Sequence, residues 1–435
     1  MLDNKLNIQS LILYKNLKYG DIINNILNIS YREINEENKC LLYNCLGNLV
    51  QIACEHGLKG NLWHLLITAS LVENENSFSL EAEHRESVNG SIVVIAKYDF
   101  ELLYQVFNTK VEELFRKYGI KKDLITDFEN TNTDRISYND KISKEINKLA
   151  KKLSDAENSR DFMKEVMEFY RKYGVGRFGL HKAFRVVNKD EKVSIVAINN
   201  VKKVELSDLI GYESAKKKLI DNTEAFIKGK NANNCLLFGA AGTGKSSSIK
   251  AILNKYFEDG LRIIEIYKYQ FKDLLEIISQ IKNRNYRFII YMDDLSFEEF
   301  ETEYKYLKAV IEGGLEKKPE NVIIYATSNR RHLIREKFSD KSEKDDDLHS
   351  NDTIAEKLSL ASRFGVSIYF DKPDKTEFNN IVIELAKKSN IKIDENELIL
   401  KANKWELSHG GMSGRCARQF IDYLSYELEM DSKNE

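Results

Sequence analysis

The residues best suited to handling a phosphate lie together between Cys235 and Leu253, in the run CLLFGAAGTGKSSSIKAIL. It contains G-x-x-x-x-G-K-S, formed by Gly239, Ala240, Ala241, Gly242, Thr243, Gly244, Lys245 and Ser246, with Ser247 directly after. The apolar run Leu236, Leu237, Phe238 precedes it and Ile249, Ile252, Leu253 follow at helical spacing. That is the strand–loop–helix setting a phosphate-binding loop needs. Glycines let the backbone curl so that its N–H groups face phosphate oxygens, and the following helix N-terminus adds positive potential. Lys245 would reach the β and γ phosphates, and the Ser246 hydroxyl would hold Mg²⁺. A glycine-rich turn before an ordinary helix is the bland alternative, and the flanking strand and helix speak against it.

Three further clusters could complete such a site. In YRFIIYMDDLSF, an apolar run fit for a central parallel strand ends in Asp293 and Asp294. Carboxylates at the C-terminal end of such a strand stand where open α/β sheets bind ligands. Asp293 would join the Mg²⁺ shell and Asp294 would orient or activate the attacking water. In NVIIYATSNRR, the polar set Thr327, Ser328 and Asn329 falls at a strand tip, where an amide can hold a water or a γ-phosphate oxygen. Near the C-terminus, Arg415 and Arg418 lie three apart, off the apolar stripe of Ala417, Phe420, Ile421, Leu424 and Leu428, and so are free to face a ligand.

The elements that must position these groups alternate as in an α/β protein. Strands are expected at the apolar run Leu236–Phe238, at Arg262–Tyr267, at Phe288–Tyr291, within Asn321–Arg331 and at Val366–Phe370, with helices between them, making a five-stranded parallel core over residues 201–372. Residues 373–435 read as wholly helical, with capping-box patterns at Asp374–Glu377 and Asp394–Glu397, a stop at Gly410 and Gly411, and a cap at Ser413. Residues 1–200 read as a mostly helical domain to which no chemistry can be assigned. Within it, Ser91–Ala96 is a short strand or a buried helix turn, Asn130–Lys141 is a polar loop, and Gly174, Gly176 and Gly179 mark a bend. Its aromatic residues are expected to fill a core. Residues 191–204 read as a short strand and linker, and Ser339–Asp352 as a charged exposed loop.

Composition bounds the classes. Apolar residues at 42% and charged residues at 31% describe a soluble globular chain, long enough at 435 residues for two or three domains. A formal net charge of −2 gives no support to a uniformly basic nucleic-acid binder. Five cysteines without paired spacing suit free thiols in a reducing cytoplasm, and Cys54, His56 and His64 read as core residues before they read as a metal site. No secretory signal pattern and no run of ~18 apolar residues appears, so a cytoplasmic protein with no membrane association is expected.

The order of motifs resembles that of AAA+ ATPases: DLIGYE at 208–213, GAAGTGKS at 239–246, FIIYMDD at 288–294, YATSN at 325–329, SRFG at 362–365 and SGRCAR at 413–418. These match the linker box, Walker A, Walker B, sensor 1, arginine-finger box and sensor 2 over roughly half the chain. Residues 285–370 and the C-terminal SGRCARQF also resemble an uncharacterised bacterial AAA+ family with a helical N-terminal region, a domain of unknown function. The resemblance implies a C-terminal helical lid, ATP and Mg²⁺ bound by Lys245, Ser246 and Asp293, and hydrolysis to ADP and phosphate. It makes Asn329 sensor 1, Arg415 the first choice for sensor 2 and Arg418 the second, and it places Ile210 and Gly211 beside the adenine. Arg363 becomes an arginine finger that completes a neighbouring subunit's site, which implies a homo-oligomeric ring, commonly a hexamer, acting on a protein or nucleic-acid client. One departure matters: Asp294 stands where the family's catalytic Glu is usual, with Glu298 and Glu299 as poorer substitutes further along. A machine that remodels a macromolecule is the leading reading. A slow nucleotide-gated adaptor or a nucleic-acid loader are the alternatives.

Overall fold

The computed structural model describes all residues except 1–5, 85–87, 131–137, 139, 190–191, 200, 298–300, 302, 313–318, 332, 334–359 and 435. The Ser339–Asp352 loop, Glu298 and Glu299, and most of the Asn130–Lys141 loop lie outside the described residues. Two compact units emerge, one of 1–182 with 197–200 and one of 183–196 with 201–435.

The first unit is helical, from α1 (Gly20–Ser30) through α2 (Glu36–His56), α3 (Leu62–Glu73), α4 (Ser77–His84), α5 (Ser91–Phe107), α6 (Val111–Lys117), α7 (Asp123–Thr126), α8 (Asp140–Ser154) and α9 (Ser159–Tyr173) to α10 (Gly176–Leu180). The ambiguous Ser91–Ala96 is the first turn and a half of α5, because the apolar run continues at helical spacing through Phe100, Leu103 and Phe107, all buried. The aromatic residues do fill a core: Phe78, Phe100, Phe107 and Phe162 meet edge-to-face. Asp99, fully buried on α5, accepts the backbone N–H groups of Ile12, Leu13 and Tyr14 at 2.7–3.0 Å, which pins the N-terminal segment.

The second unit contains β1 (Ala183–Lys189), β2 (Lys192–Ala197), α11 (Glu213–Ile227), β3 (Cys235–Gly239), α12 (Lys245–Tyr256), β4 (Leu261–Glu265), α13 (Leu274–Ile281), β5 (Arg287–Met292), α14 (Tyr304–Glu312), β6 (Val322–Ser328) and β7 (Val366–Phe370). Its sheet has seven strands in the order β2-β1-β4-β5-β6-β3-β7, not the five expected. The five expected strands form its parallel core, and β1 adds to the β4 edge in parallel register. The glycines read as a bend hold the short helix α10 after Gly174, and the added strand was hidden because AFRVVNK carries Arg185, Asn188 and Lys189 in place of a continuous apolar run. By contrast β6, flanked on both sides, is buried at every position from Val322 to Ser328.

Three helices close the unit: α15 (Lys375–Lys388), α16 (Glu395–Ser408) and α17 (Gly414–Asn434). Asp374 and Glu377 make a reciprocal capping box on α15, and Asp394 accepts from Asn396 and Glu397 at the start of α16. Phe378, Ile381 and Val382 of α15, Leu398 and Ala402 of α16, and Phe420, Ile421 and Leu424 of α17 share one core.

Within the first unit, His56 is buried with its Nδ1 unpartnered, stacks on Tyr138 at 4.0 Å, and meets the Tyr19 hydroxyl at 2.9 Å through Nε2. Glu73 is 3.8 Å away, yet its carboxylate is already engaged by Lys18 and Tyr138. Burial first, then Lys18 and His181, push the imidazole pKa down to about 3. Because the folded state refuses a proton that the unfolded chain takes up below pH ~6.5, this group's contribution is complete above that pH and is lost as pH falls toward 3. Thermal unfolding midpoints measured from pH 7.5 to pH 4 should therefore fall less steeply in His56→Gln than in the wild type. Parallel slopes would show that His56 does not set the acid sensitivity.

Candidate functional site

The C-terminal ends of β5, β6 and β3 meet at one edge of the sheet, where open α/β sheets bind ligands. Register brings the chemistry together: Met292 pairs with Ala326, and Ala326 with Leu236, so Asp293, Thr327 and the loop after β3 leave their strands side by side. A cleft of about 990 Å³ opens there. Ala241 to Ser247, Asp293, Asp294, Thr327, Asn329, Arg415 and Arg418 all line it.

The loop has the backbone its glycines allow. Gly242 and Gly244 take φ of 78° and 92°, and at Gly239 a Cβ would stand 2.0 Å from the Phe370 carbonyl oxygen of β7. Lys245 opens α12 and is buried, its Nζ donating to the carbonyl oxygens of Gly239 (2.9 Å) and Ala240 (2.7 Å) and to Asn329 Oδ1 (3.1 Å). Burial lowers its pKa, with Arg415 acting in the same direction and Asp294 and Asp293 opposing. Gly239 and Ala240 thus serve the site through their carbonyls, folding the lysine back over the loop.

Asp293 Oδ1 accepts three hydroxyls, from Thr327 (2.6 Å), Ser246 (2.7 Å) and Tyr291 (2.7 Å). Burial works to raise its pKa, and these three bonds outweigh it, so the carboxyl is held below its usual range. A carboxylate beside a serine hydroxyl suits Mg²⁺, which takes one or two protein oxygens and completes its shell with phosphate and water. Among the described residues no group of three or more His, Cys, Asp or Glu could hold a metal by itself.

Asp294 follows with φ of 50°, in the left-handed region where Asp and Asn are several-fold enriched over other side chains. Its N–H donates to Thr327 Oγ1 at 2.9 Å, and its Oδ1 accepts from Asn329 Nδ2 at 2.7 Å. Asn329 therefore bridges Lys245 and Asp294, one amide atom to each. The short carboxylate is what this backbone favours. Thr327 and Tyr291 carry more than their sequence positions suggested: the threonine was visible only as part of a polar strand tip, and the tyrosine read as an apolar strand residue.

On the other wall, the Arg415 N–H donates to the Gly242 carbonyl at 3.1 Å, and a Cβ on Gly242 would meet Ser413 Oγ and Arg415 Cβ at 3.1 Å. Ser413 caps α17 through the Cys416 N–H. Arg415, Arg418, Gln419 and Asp422 face the cleft while Phe420, Ile421 and Leu424 are buried, the division the apolar stripe required. Leu209 and Ile210 line the cleft; Gly211 does not, lining with them a second, smaller cavity. Asn254 of α12 pins the start of that segment by donating to the carbonyls of Lys202 and Val204, a tether the sequence did not announce. Arg363 is outside the cleft, half-buried and paired with Glu312 of α14.

The backbone at 294 makes a testable statement. Asp294→Glu should lower stability by about 1 kcal/mol, read as a reduced melting temperature, and should not raise nucleotide turnover. Asp294→Asn should melt close to the wild type. A Glu variant that turns over faster without melting earlier would show that the left-handed backbone does not dictate the residue.

The chain is similar to several known proteins. A 68-residue stretch is 38% identical to the replication factor C large subunit of Staphylothermus marinus, and the match spans 15% of this chain and 15% of that protein. Among solved structures, the chain is similar to the Thermotoga maritima RuvB Holliday junction branch migration motor, with 18% identity over 53% of this chain and 67% of that one and a TM-score of 0.38. It is similar also to the FIGL-1 AAA domain in complex with ADP, with 18% identity over 51% of this chain and 72% of that one and a TM-score of 0.35. A family model described as "Protein of unknown function (DUF815)" matches residues 179–428, more than half of the chain and nearly all of the second unit. The chain therefore belongs to the DUF815 family, an uncharacterised family with the motif order of AAA+ ATPases.

Proposed function

We propose that the second unit binds ATP with Mg²⁺ and hydrolyses it to ADP and phosphate, using the turnover to remodel a macromolecular partner. The observation that carries this reading is the chain of contacts Ser246–Asp293–Thr327–Asp294–Asn329–Lys245 along one edge of the cleft. In this reading Ser246 and Asp293 are the metal-binding pair, Asp294 the water-orienting carboxylate and Lys245 the phosphate-binding group. Mg²⁺, when bound, supplies charge neutralisation at the phosphates. The backbone N–H groups from Gly242 to Ser247 orient the phosphates, Ser246 and Asp293 hold the cation, and Asp294 with Asn329 fixes the attacking water. Arg415 and Arg418 reach in from the helical lid. Arg363, outside its own cleft, acts on a neighbouring copy in a ring.

A slow nucleotide-gated switch is the second reading, favoured by the short carboxylate at 294, whose Oδ1 is already engaged by Asn329. The chain is similar over a short stretch to a replication factor C large subunit, which keeps a nucleic-acid client among the alternatives. The net charge of −2 gives that alternative no electrostatic footprint.

Lys245→Ala should abolish binding of a fluorescent ATP analogue. Arg363→Ala should bind normally while its ATPase rate falls about 10³-fold or more, and the wild-type specific rate should climb with protein concentration. Full turnover in Arg363→Ala would remove the in-trans role. Tight binding with negligible turnover at every concentration would select the switch.

A further inference from the structure

The segment 206–211 is a wall that borders two spaces, the cleft described above and a cavity of about 540 Å³, with Leu209 and Ile210 lining both. Leu209 packs toward Gly244 and Ile210 packs against the core of the helical bundle, and polar tethers hold the rest of this wall. The parallel-sheet core supplies two. Asn254 holds the backbone just ahead of the wall, and Lys216 of α11, largely buried, donates to the Leu209 carbonyl at 2.7 Å while paired with Glu213 at 2.6 Å. The helical bundle supplies the third. Lys388, at the last turn of α15, donates to the Ser207 carbonyl and pairs with Asp208 Oδ1 at 3.4 Å.

Asp208 divides its two oxygens between these tasks. Oδ2 accepts the Glu205 N–H at 2.9 Å and closes the capping box of the short 3₁₀ turn, while Oδ1 faces Lys388. Arg418 of α17, which lines the cleft with Asp208, also favours its ionised form. One carboxylate thus engages the wall locally and both cleft-facing helices of the bundle electrostatically.

We propose that Asp208 is a positioning residue that registers the bundle on the base-side wall of the cleft through Lys388, so that nucleotide affinity depends on this pair. The inference rests on the nucleotide-binding reading above. The pair is about 40% exposed, so the effect expected is modest, about 2- to 5-fold in affinity.

The test is a double-mutant cycle on the full-length protein, read by titration with fluorescent ADP and by melting temperature. Asp208→Asn keeps an oxygen able to cap the turn but removes the charge. Asp208→Asn and Lys388→Gln should each weaken ADP about 2- to 5-fold, the double variant should be no worse than either single, and Lys388→Arg should restore wild-type affinity. Melting temperatures should stay close to wild type, which separates positioning from a general loss of fold. Additive losses, or unchanged affinity in both single variants, would overturn the role of the pair while leaving nucleotide binding intact. Failure of the wild type itself to bind would overturn the nucleotide reading instead, and this inference with it.

Discussion

Parallel pairing of β6 between β5 and β3 is the constraint on which the site depends. Each neighbour delivers its chemistry at the strand's C-terminal end, and the hydrogen-bond register decides which side chains meet. Thr327 lies one residue beyond the Ala326–Met292 pair, so its hydroxyl reaches the Asp293 carboxylate and the Asp294 N–H together. A slip of one residue would turn Thr327 to the opposite face and break both bonds. The full burial of β6 is the energetic lock on that register.

Several departures from regular backbone follow from the same edge. The loop at Gly242 and Gly244 uses left-handed conformations available to glycine, and Asp294 uses one that Asp tolerates better than longer side chains. The shorter acid therefore has a local cause in the backbone. Asn329 then links this acid to Lys245, joining the two ends of the site through one amide.

The bundle of α15, α16 and α17 meets the cleft at two named places. Arg415 and Ser413 pack tightly on Gly242, whose left-handed backbone favours glycine, and Lys388 reaches the wall through Ser207 and Asp208. The first contact is steric and backbone-based, the second electrostatic and exposed. They differ accordingly: a change at Gly242 would displace the helix start, whereas a change at Asp208 would alter only how firmly the wall is held.

Much of the site was legible in the sequence because its signals are local. The spacing from Gly239 to Ser246 dictates a loop and a helix start, the apolar run ending at Asp293 and Asp294 dictates a central strand with an acidic tip, and the stripe along α17 dictates which way Arg415 and Arg418 face. Asp374 and Asp394 announced their helices for the same reason: a cap bonds to N–H groups two or three residues away. What only the tertiary structure decided involves partners distant in the chain. Thr327 and Tyr291 became supports of Asp293 through strand register, β1 joined the sheet by pairing with an edge that its own weak alternation could not specify, and Asn254, Lys216 and Lys388 became tethers of one wall because three separate helices converge on it. Local spacing encodes dihedral angles and exposed faces; which side chains meet across strands and helices is settled only when the apolar faces pack.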